Sequence, residues 1–292
     1  MPYRSWLFVP GDSEKKLDKV NTVPTDVVIV DLEDAVAADN KQAARELAHD
    51  WLQFHIRHEG ATKFHRWIRI NAFDTPWWRD DLQAAMPGRP AGIVLPKCTG
   101  PDQIQQLSAE LYEMEQTLGF EKNSTEILPL VSETAKAAMS IPTYIGDTNP
   151  RLAGLTWGAE DLSAAIGAGR KRDEDGAWTD TFRMVRAQTL LTAHARGVMA
   201  IDTLHSDFRD PDGLALMATA SRADGFTGML AIHPGQVEIV NTAFTPTKAE
   251  RAHAQRIVDA FAENPGLGTL QIDGEMIDQP HLVQAKRLLG EA

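Results

Sequence analysis

The chain has 292 residues, 43% apolar and 24% charged, long enough for a large core. No apolar run approaches the ~20 residues of a bilayer span, and 29 basic against 41 acidic side chains give a formal charge of −12, which excludes a general nucleic-acid binder that relies on phosphate neutralisation. A single cysteine, Cys98, excludes an internal disulfide framework and a multi-cysteine zinc site; with no secretory h-region in "MPYRSWLFVPGDSEKK", a cytoplasmic location is expected.

Along the chain, short runs rich in β-branched residues alternate with stretches of helical periodicity, the pattern of βα units around a parallel sheet. The runs are "SWLFVP" from Ser5, "DVVIVDLE" from Asp26, "FHRWIRIN" from Phe64 and "AGIVLPK" from Ala91, then "EILPLVS" from Glu126, "RLAGLTWG" from Arg151, "GVMAIDTL" from Gly197 and "GMLAIHP" from Gly228. Helix-like segments such as "DNKQAARELAHDWLQFHIRH" and "DTFRMVRAQTLLTAHAR" lie between them. Eight strands with helical crossovers fill roughly 250 residues, the usual size of a (β/α)8 TIM barrel. The barrel is therefore placed at residues 1–245, with a C-terminal helical extension at 246–292. The extension reads as one helix from Lys248 to Glu263, a Gly-rich turn "NPGLGTLQIDGEMID" and a short helix from Gln279. An open doubly wound sheet is the alternative, but no G-x-G-x-x-G follows the first run.

In such a barrel the reacting groups come from the C-terminal ends of the strands, where the loops line one mouth. Those ends carry Glu33 and Asp34 after strand two, Arg69 ending strand three, Lys97 after strand four, Glu133 after strand five and Asp161 after strand six. Asp202 lies in strand seven and His233 in strand eight. Any one carboxylate there reads as a cap for the next helix; several together, beside Arg69 and Lys97, read as a site. Glu133 and Asp161 come from consecutive strands, with no cysteine or histidine pair nearby. Two carboxylates of this kind suit a hard cation, Mg2+ above all. Glu33 and Asp34 would then accept hydrogen bonds from metal-bound waters. The "WGAE" backbone before Asp161 leaves amides for a substrate carboxylate, and Glu160 reads as structural. His233 reads as a hydrogen-bonded structural residue, and Cys98 lacks a partner base for a nucleophile. Trp77 and Trp78 read as packing for the third helix, and "GRKR" (169–172), followed by "DED", as a solvated loop.

The motifs "RSWLFVPGD", "DLEDAV", "RIN", "DTPWWRDDL", "LPK", "SETA", "GAEDL", "AID", "DFRD", "AIHPGQ" and "MIDQPH" occur in this order from end to end. On them the chain resembles the citrate lyase β-subunit-like and malyl-CoA lyase family, in particular its stand-alone members that cleave malyl-CoA or citramalyl-CoA. The resemblance implies a Mg2+-dependent Claisen-type lyase on a TIM barrel, assembled as homotrimers or hexamers. It implies Glu133 and Asp161 as metal ligands and Arg69 and Glu133 as substrate contacts. It also implies Asp278 as a catalytic aspartate on a C-terminal lid that closes over a neighbouring subunit. The substrate would be a CoA thioester, its CoA phosphates near Arg4, Lys15 or Lys16, and the products acetyl-CoA and a 2-keto acid, pyruvate or glyoxylate. The rival readings are a malyl-CoA thioesterase, the β subunit of an acyl-carrier-dependent citrate lyase, and a barrel retained as a scaffold.

Overall fold

The computed structural model describes residues 3–58, 60 and 63–291. They fall into two compact units, one reaching to Thr242 and one from Ala243 onward, which are described separately.

The larger unit is a (β/α)8 barrel. Its strands are β1 (Ser5–Pro10), β2 (Val27–Asp31), β3 (His65–Arg69), β4 (Gly92–Leu95), β5 (Glu126–Pro129), β6 (Gly154–Thr156), β7 (Met199–Asp202) and β8 (Gly228–Ala231). All neighbours pair in parallel, in the order β5-β4-β3-β2-β1-β8-β7-β6. The two ends of that sheet meet through parallel bridges Ile127↔Leu152 and Leu130↔Thr156, which close the barrel. Closure explains the sequence pattern. A strand covered by helices outside and by other strands' side chains inside is apolar on both faces, so "VVIV" of β2 is buried throughout instead of alternating. The interior is filled by Trp6, Val27, Ile29, Trp67, Val94, Leu128, Leu130, Ile201 and Leu230, with Trp6 and Trp67 edge to face at 5.1 Å.

The surrounding helices are α1 (Glu14–Val20), α2 (Lys41–Arg57), α3 (Trp78–Ala85), α4 (Pro101–Leu118), α5 (Ala135–Ser140), α6 (Ala159–Ile166), α7 (Asp180–Arg196), α8 (Pro211–Asp224) and α9 (Pro234–Ala243). In α2 the buried residues Ala44, Ala48, Trp51, Leu52 and His55 recur at three- and four-residue spacing, one stripe facing the strands. At the strands' N-terminal end, a fully buried ion pair fastens α4 to β5 and β6. Arg151 Nη1 and Nη2 each donate to Glu115 at 2.6 Å, and the same carboxylate accepts the amides of Asn123 and Thr125 at 2.9 and 3.0 Å.

The smaller unit holds α10 (Lys248–Glu263), β9 (Thr269–Ile272), β10 (Glu275–Asp278) and α11 (Gln279–Leu289) around Ala254, Ile257, Phe261, Ile277 and Ala285. Helix α10 opens on a capping box between Thr247 and Glu250. The stretch expected as a Gly-rich turn is in part an antiparallel hairpin, β9 with β10. Its cause is the Asp273-Gly274 pair at φ 53° and 88°: a two-residue turn with both residues left-handed matches the twist of the strands it joins.

Candidate active site

The mouth is built outward from the last residues of β2 and β3. Parallel pairing sets Asp31 opposite Arg69, so a carboxylate and a guanidinium leave adjacent strands side by side. Arg69 Nε and Nη2 donate to Asp31 Oδ1 and Oδ2 at 2.7 and 2.6 Å, a bidentate fork. Asp31 also accepts the amides of Glu33 and Ala35 at 2.9 and 3.2 Å. Burial pushes its carboxyl up, but Arg69 and these amides outweigh burial and hold it below the usual carboxylate range. Arg69 is raised in turn, its desolvation outweighed by Asp31 and Glu33. The ring of Phe8 lies 4.7 Å from the guanidinium carbon. The remaining nitrogen, Nη1, lies 3.2 Å from Glu33 Oε2, an ionic contact without hydrogen-bond geometry that leaves this buried oxygen without a hydrogen-bond partner.

The loop after β2 is fixed from beneath. Lys41, buried at the start of α2, donates from Nζ to the carbonyls of Leu32 and Glu33, both at 2.7 Å. Asn71 Nδ2 donates to the same Leu32 carbonyl at 2.8 Å and to Asp81 at 2.7 Å. Glu33 is thereby aimed into the mouth, where burial raises its carboxyl against the pull of Arg69 and Lys97.

Lys97, two residues past β4, joins this group to the next strand. Its backbone is left-handed, φ 51°. Its amide donates to Glu133 Oε2 at 2.5 Å, while its Nζ donates to Glu33 and lies 3.2 Å from Asp34 Oδ2. The ammonium is held above its ordinary range, because the Glu33 carboxylate outweighs burial. Glu133 is 2% exposed. Burial first, then the charges of Glu33 and Asp161, push its carboxyl from 4.5 to about 8, against Arg69 and the Lys97 amide. Asp161 arrives differently from the strand-end placement expected: it sits in the first turn of α6, where the helix N-terminus favours a carboxylate. Gly158, just before that helix, leaves room for Glu133, since a Cβ there would come within 3.1 Å of its Cγ and 3.3 Å of its Oε1. A buried carboxylate crowded by two others, an unpartnered buried oxygen on Glu33 and donors that are all oxygen fit a hard divalent cation, which Glu133 and Asp161 could hold.

Other rim residues lie elsewhere. Asp202 does not face the mouth: buried, it accepts from Trp157 Nε1 at 2.7 Å, from Arg186 on α7 at 2.9 and 2.8 Å and from Ser221 on α8 at 2.6 Å, so it faces the helical layer. His233 is exposed; its Nδ1 accepts from the Gly235 amide at 3.1 Å and its ring stacks on Phe208. Cys98 is buried, accepts from the Tyr144 hydroxyl at 3.0 Å and is pushed by burial up to about 11, which removes thiolate chemistry. Of the "WGAE" amides, that of Gly158 is spent on Ser132 Oγ at 3.0 Å. Glu160 pairs with Lys171, and Trp78 is buried at the start of α3. Arg4 precedes β1 and forms a bidentate pair with Asp26, at the end of the barrel away from the mouth, so it is no CoA contact there. Lys15 and Lys16 are exposed on α1; a cavity of about 230 Å³ beside Lys16 is lined also by Phe8, Lys19, Ile232 and His233. Asp278 belongs to the smaller unit, as the last residue of β10 and N-cap of α11, with its Oδ1 2.5 Å from His281 Nδ1.

Two participants were not assigned from sequence. Asp31 ends an apolar run like its neighbours, and only the parallel register singles it out as the partner of Arg69. Lys41 lies in a helical segment whose periodicity shows burial but not the carbonyls it reaches.

Comparison with known proteins bears on the chain as a whole. A model of the family described as HpcH/HpaI aldolase/citrate lyase matches residues 4–234. A (3S)-malyl-CoA thioesterase of Cereibacter sphaeroides is 33% identical over 100% of this chain and 95% of its own length. The mitochondrial citramalyl-CoA lyase of Rattus norvegicus is 33% identical over 99% of this chain and 86% of its own. Among solved structures, protein CitE from Mycobacterium tuberculosis, in complex with magnesium, acetoacetate and coenzyme A, superposes with a TM-score of 0.77 at 31% identity, covering 100% of this chain and 98% of that one.

Proposed function

The chain belongs to the HpcH/HpaI aldolase/citrate lyase family, and we propose that within it the protein is a Mg2+-dependent carbon–carbon lyase. It cleaves a short 3-hydroxyacyl-CoA thioester, citramalyl-CoA or malyl-CoA, to acetyl-CoA and a 2-keto acid, pyruvate or glyoxylate. The observation that carries this reading is the mouth itself: Glu133 buried and crowded by carboxylates, with Arg69 locked onto Asp31 beside it. The magnesium-bound, CoA-bound relative supports it.

Glu133 and Asp161 would hold the ion, and when bound it supplies Lewis acidity to the oxygen of the hydroxy or keto acid. The other contributions come from the chain. Asp31 takes two of the donors of Arg69 and fixes the plane of its fork, so that Nη1, beside Glu33 Oε2, is the donor left for a substrate oxygen. As the C–C bond breaks, its electron pair passes to the acetyl carbon, and charge develops on the thioester oxygen of the enolate. Arg69, already oriented and desolvated, stabilises that charge with little reorganisation. Asp278 gives its proton to the carbon to form the methyl group and regains one from the solvent, which takes up the hydroxyl proton. Lys15 and Lys16 on α1 would bind the CoA phosphates; a cavity lined by Lys16 and Lys19 supports this. The protein acts as a cytoplasmic homo-oligomer, trimer or hexamer, with the lid shared between subunits.

The thioesterase relative favours a second reading, hydrolysis of malyl-CoA. Product analysis separates the two. Incubation of the purified chain with citramalyl-CoA and malyl-CoA is expected to release acetyl-CoA and keto acid in equal amounts. Free CoA with malate and no glyoxylate would replace the lyase reading by the hydrolytic one. Turnover by the isolated chain on a CoA ester also counts against a subunit that works only on an acyl carrier.

A further inference from the structure

Five carboxylates stand at this mouth, Asp31, Glu33, Asp34, Glu133 and Asp161, yet among the described residues no three Asp, Glu, His or Cys side chains are gathered around one point. Asp31 is taken by Arg69. Lys97 engages three of the others, Glu33, Asp34 and Glu133. It is one of four non-glycine residues at positive φ among those described, a conformation unfavourable for a residue with a Cβ that persists only where its surroundings impose it. That conformation turns its amide toward Glu133 and its side chain toward Glu33 and Asp34.

We propose that Lys97 is a positioning residue that partitions the carboxylates: its amide holds Glu133 for the cation, and its ammonium keeps Glu33 and Asp34 off it. The inference rests on the metal site proposed above. Its chemical sense lies in coordination number. A hard cation accepts as many carboxylate oxygens as reach it, and Ca2+, with six to eight ligands, accepts more than Mg2+. Mg2+ ringed by four carboxylates binds tightly but keeps at most two of its six positions and carries a net charge of −2 against an anionic substrate. With Lys97 engaging two of them, the ion keeps four positions open and, with Glu133 and Asp161, makes a neutral site toward an anionic substrate.

The test is calorimetric titration of metal-free protein with Mg2+ and Ca2+, on wild type, Lys97→Met, Lys97→Arg and Glu133→Gln. Lys97→Met removes a like charge and frees two ligands, so both ions are expected to bind at least about tenfold tighter, Ca2+ gaining more. Substrate turnover with Mg2+ should meanwhile fall about a hundredfold. Lys97→Arg keeps the cation and should bind both ions as wild type does. Should Lys97→Met not fold, Lys97→Gly, which accepts the left-handed backbone and keeps the amide, carries the same expectation. Unchanged or weaker ion binding in the variant without an ammonium, with wild type binding normally, overturns the role of Lys97 alone. Wild-type Mg2+ affinity in Glu133→Gln overturns the metal site and this inference with it.

Discussion

Glu133 and Asp31 are both carboxylates buried at strand ends, and their surroundings drive them in opposite directions. Asp31 has a bidentate guanidinium and two amides, whereas Glu133 has one amide and two anionic neighbours. A carboxyl raised in the folded protein from 4.5 to about 8 contributes stability that is fully present below about 4.5 and lost as pH rises through about 8, because over that window only the unfolded chain ionises. In chelator, wild type should therefore lose melting temperature between pH 5 and pH 8 relative to Glu133→Gln, and Mg2+ should restore it in wild type only. Parallel melting curves for the two proteins across that window would contradict the buried state of Glu133 beside two anionic neighbours. Arg69 supplies a second residue-scale expectation. Arg69→Lys keeps the charge but loses the fork, so kcat/KM should fall by about two orders of magnitude; steady-state kinetics near wild type would make Arg69 only the structural partner of Asp31. Both residues were legible in the sequence, because a charged side chain at the end of an apolar run has no place in the barrel interior. Asp31 gave the same signal without its meaning, which lies in a cross-strand register that a single sequence does not state.

At the scale of elements, strand order and helix positions carry the site, and a buried ion pair braces the frame at the opposite end of the barrel. The Glu115–Arg151 pair, both side chains 0% exposed, ties the end of α4 to the starts of β5 and β6. Removing one partner leaves a buried charge without compensation, so Glu115→Ala should cost about 3–5 kcal/mol of stability by denaturant titration. The KM of the surviving folded enzyme should not change, and a raised KM at undiminished stability would contradict this division of labour. The eight strands were legible because buried parallel strands read as continuous apolar runs bounded by turns. The hairpin of the smaller unit is absent from the sequence reading, although Asp273-Gly274 between "TLQI" and "EMID" is a turn signal; upstream the same stretch is rich in glycine. Asp202 was misplaced for a related reason. Period-two alternation sends successive strand residues to opposite faces, and the final Asp of β7 falls on the helix side, where Arg186 and Ser221 meet it.

For the whole molecule, the barrel was legible from length and the alternation of elements, and the family from motifs spread over both units. Assembly is a proposal with its own experiment. If the lid carrying Asp278 serves a neighbouring subunit, Asp278→Asn and Glu133→Gln chains, each inactive alone, should recover part of the activity when mixed under subunit exchange. Some mouths would then combine an intact metal site with an intact lid. No recovery despite exchange proven by mass would place the lid on its own subunit. The central claim, that a cation held by Glu133 and Asp161 makes this mouth break a carbon–carbon bond, is tested most directly by keto-acid release. Citramalyl-CoA and malyl-CoA are supplied to wild type with Mg2+, to wild type with chelator, and to Glu133→Gln with Mg2+. The account predicts stoichiometric pyruvate or glyoxylate in the first case and at least about a hundredfold less in the other two; undiminished release in chelator or in the variant would contradict it.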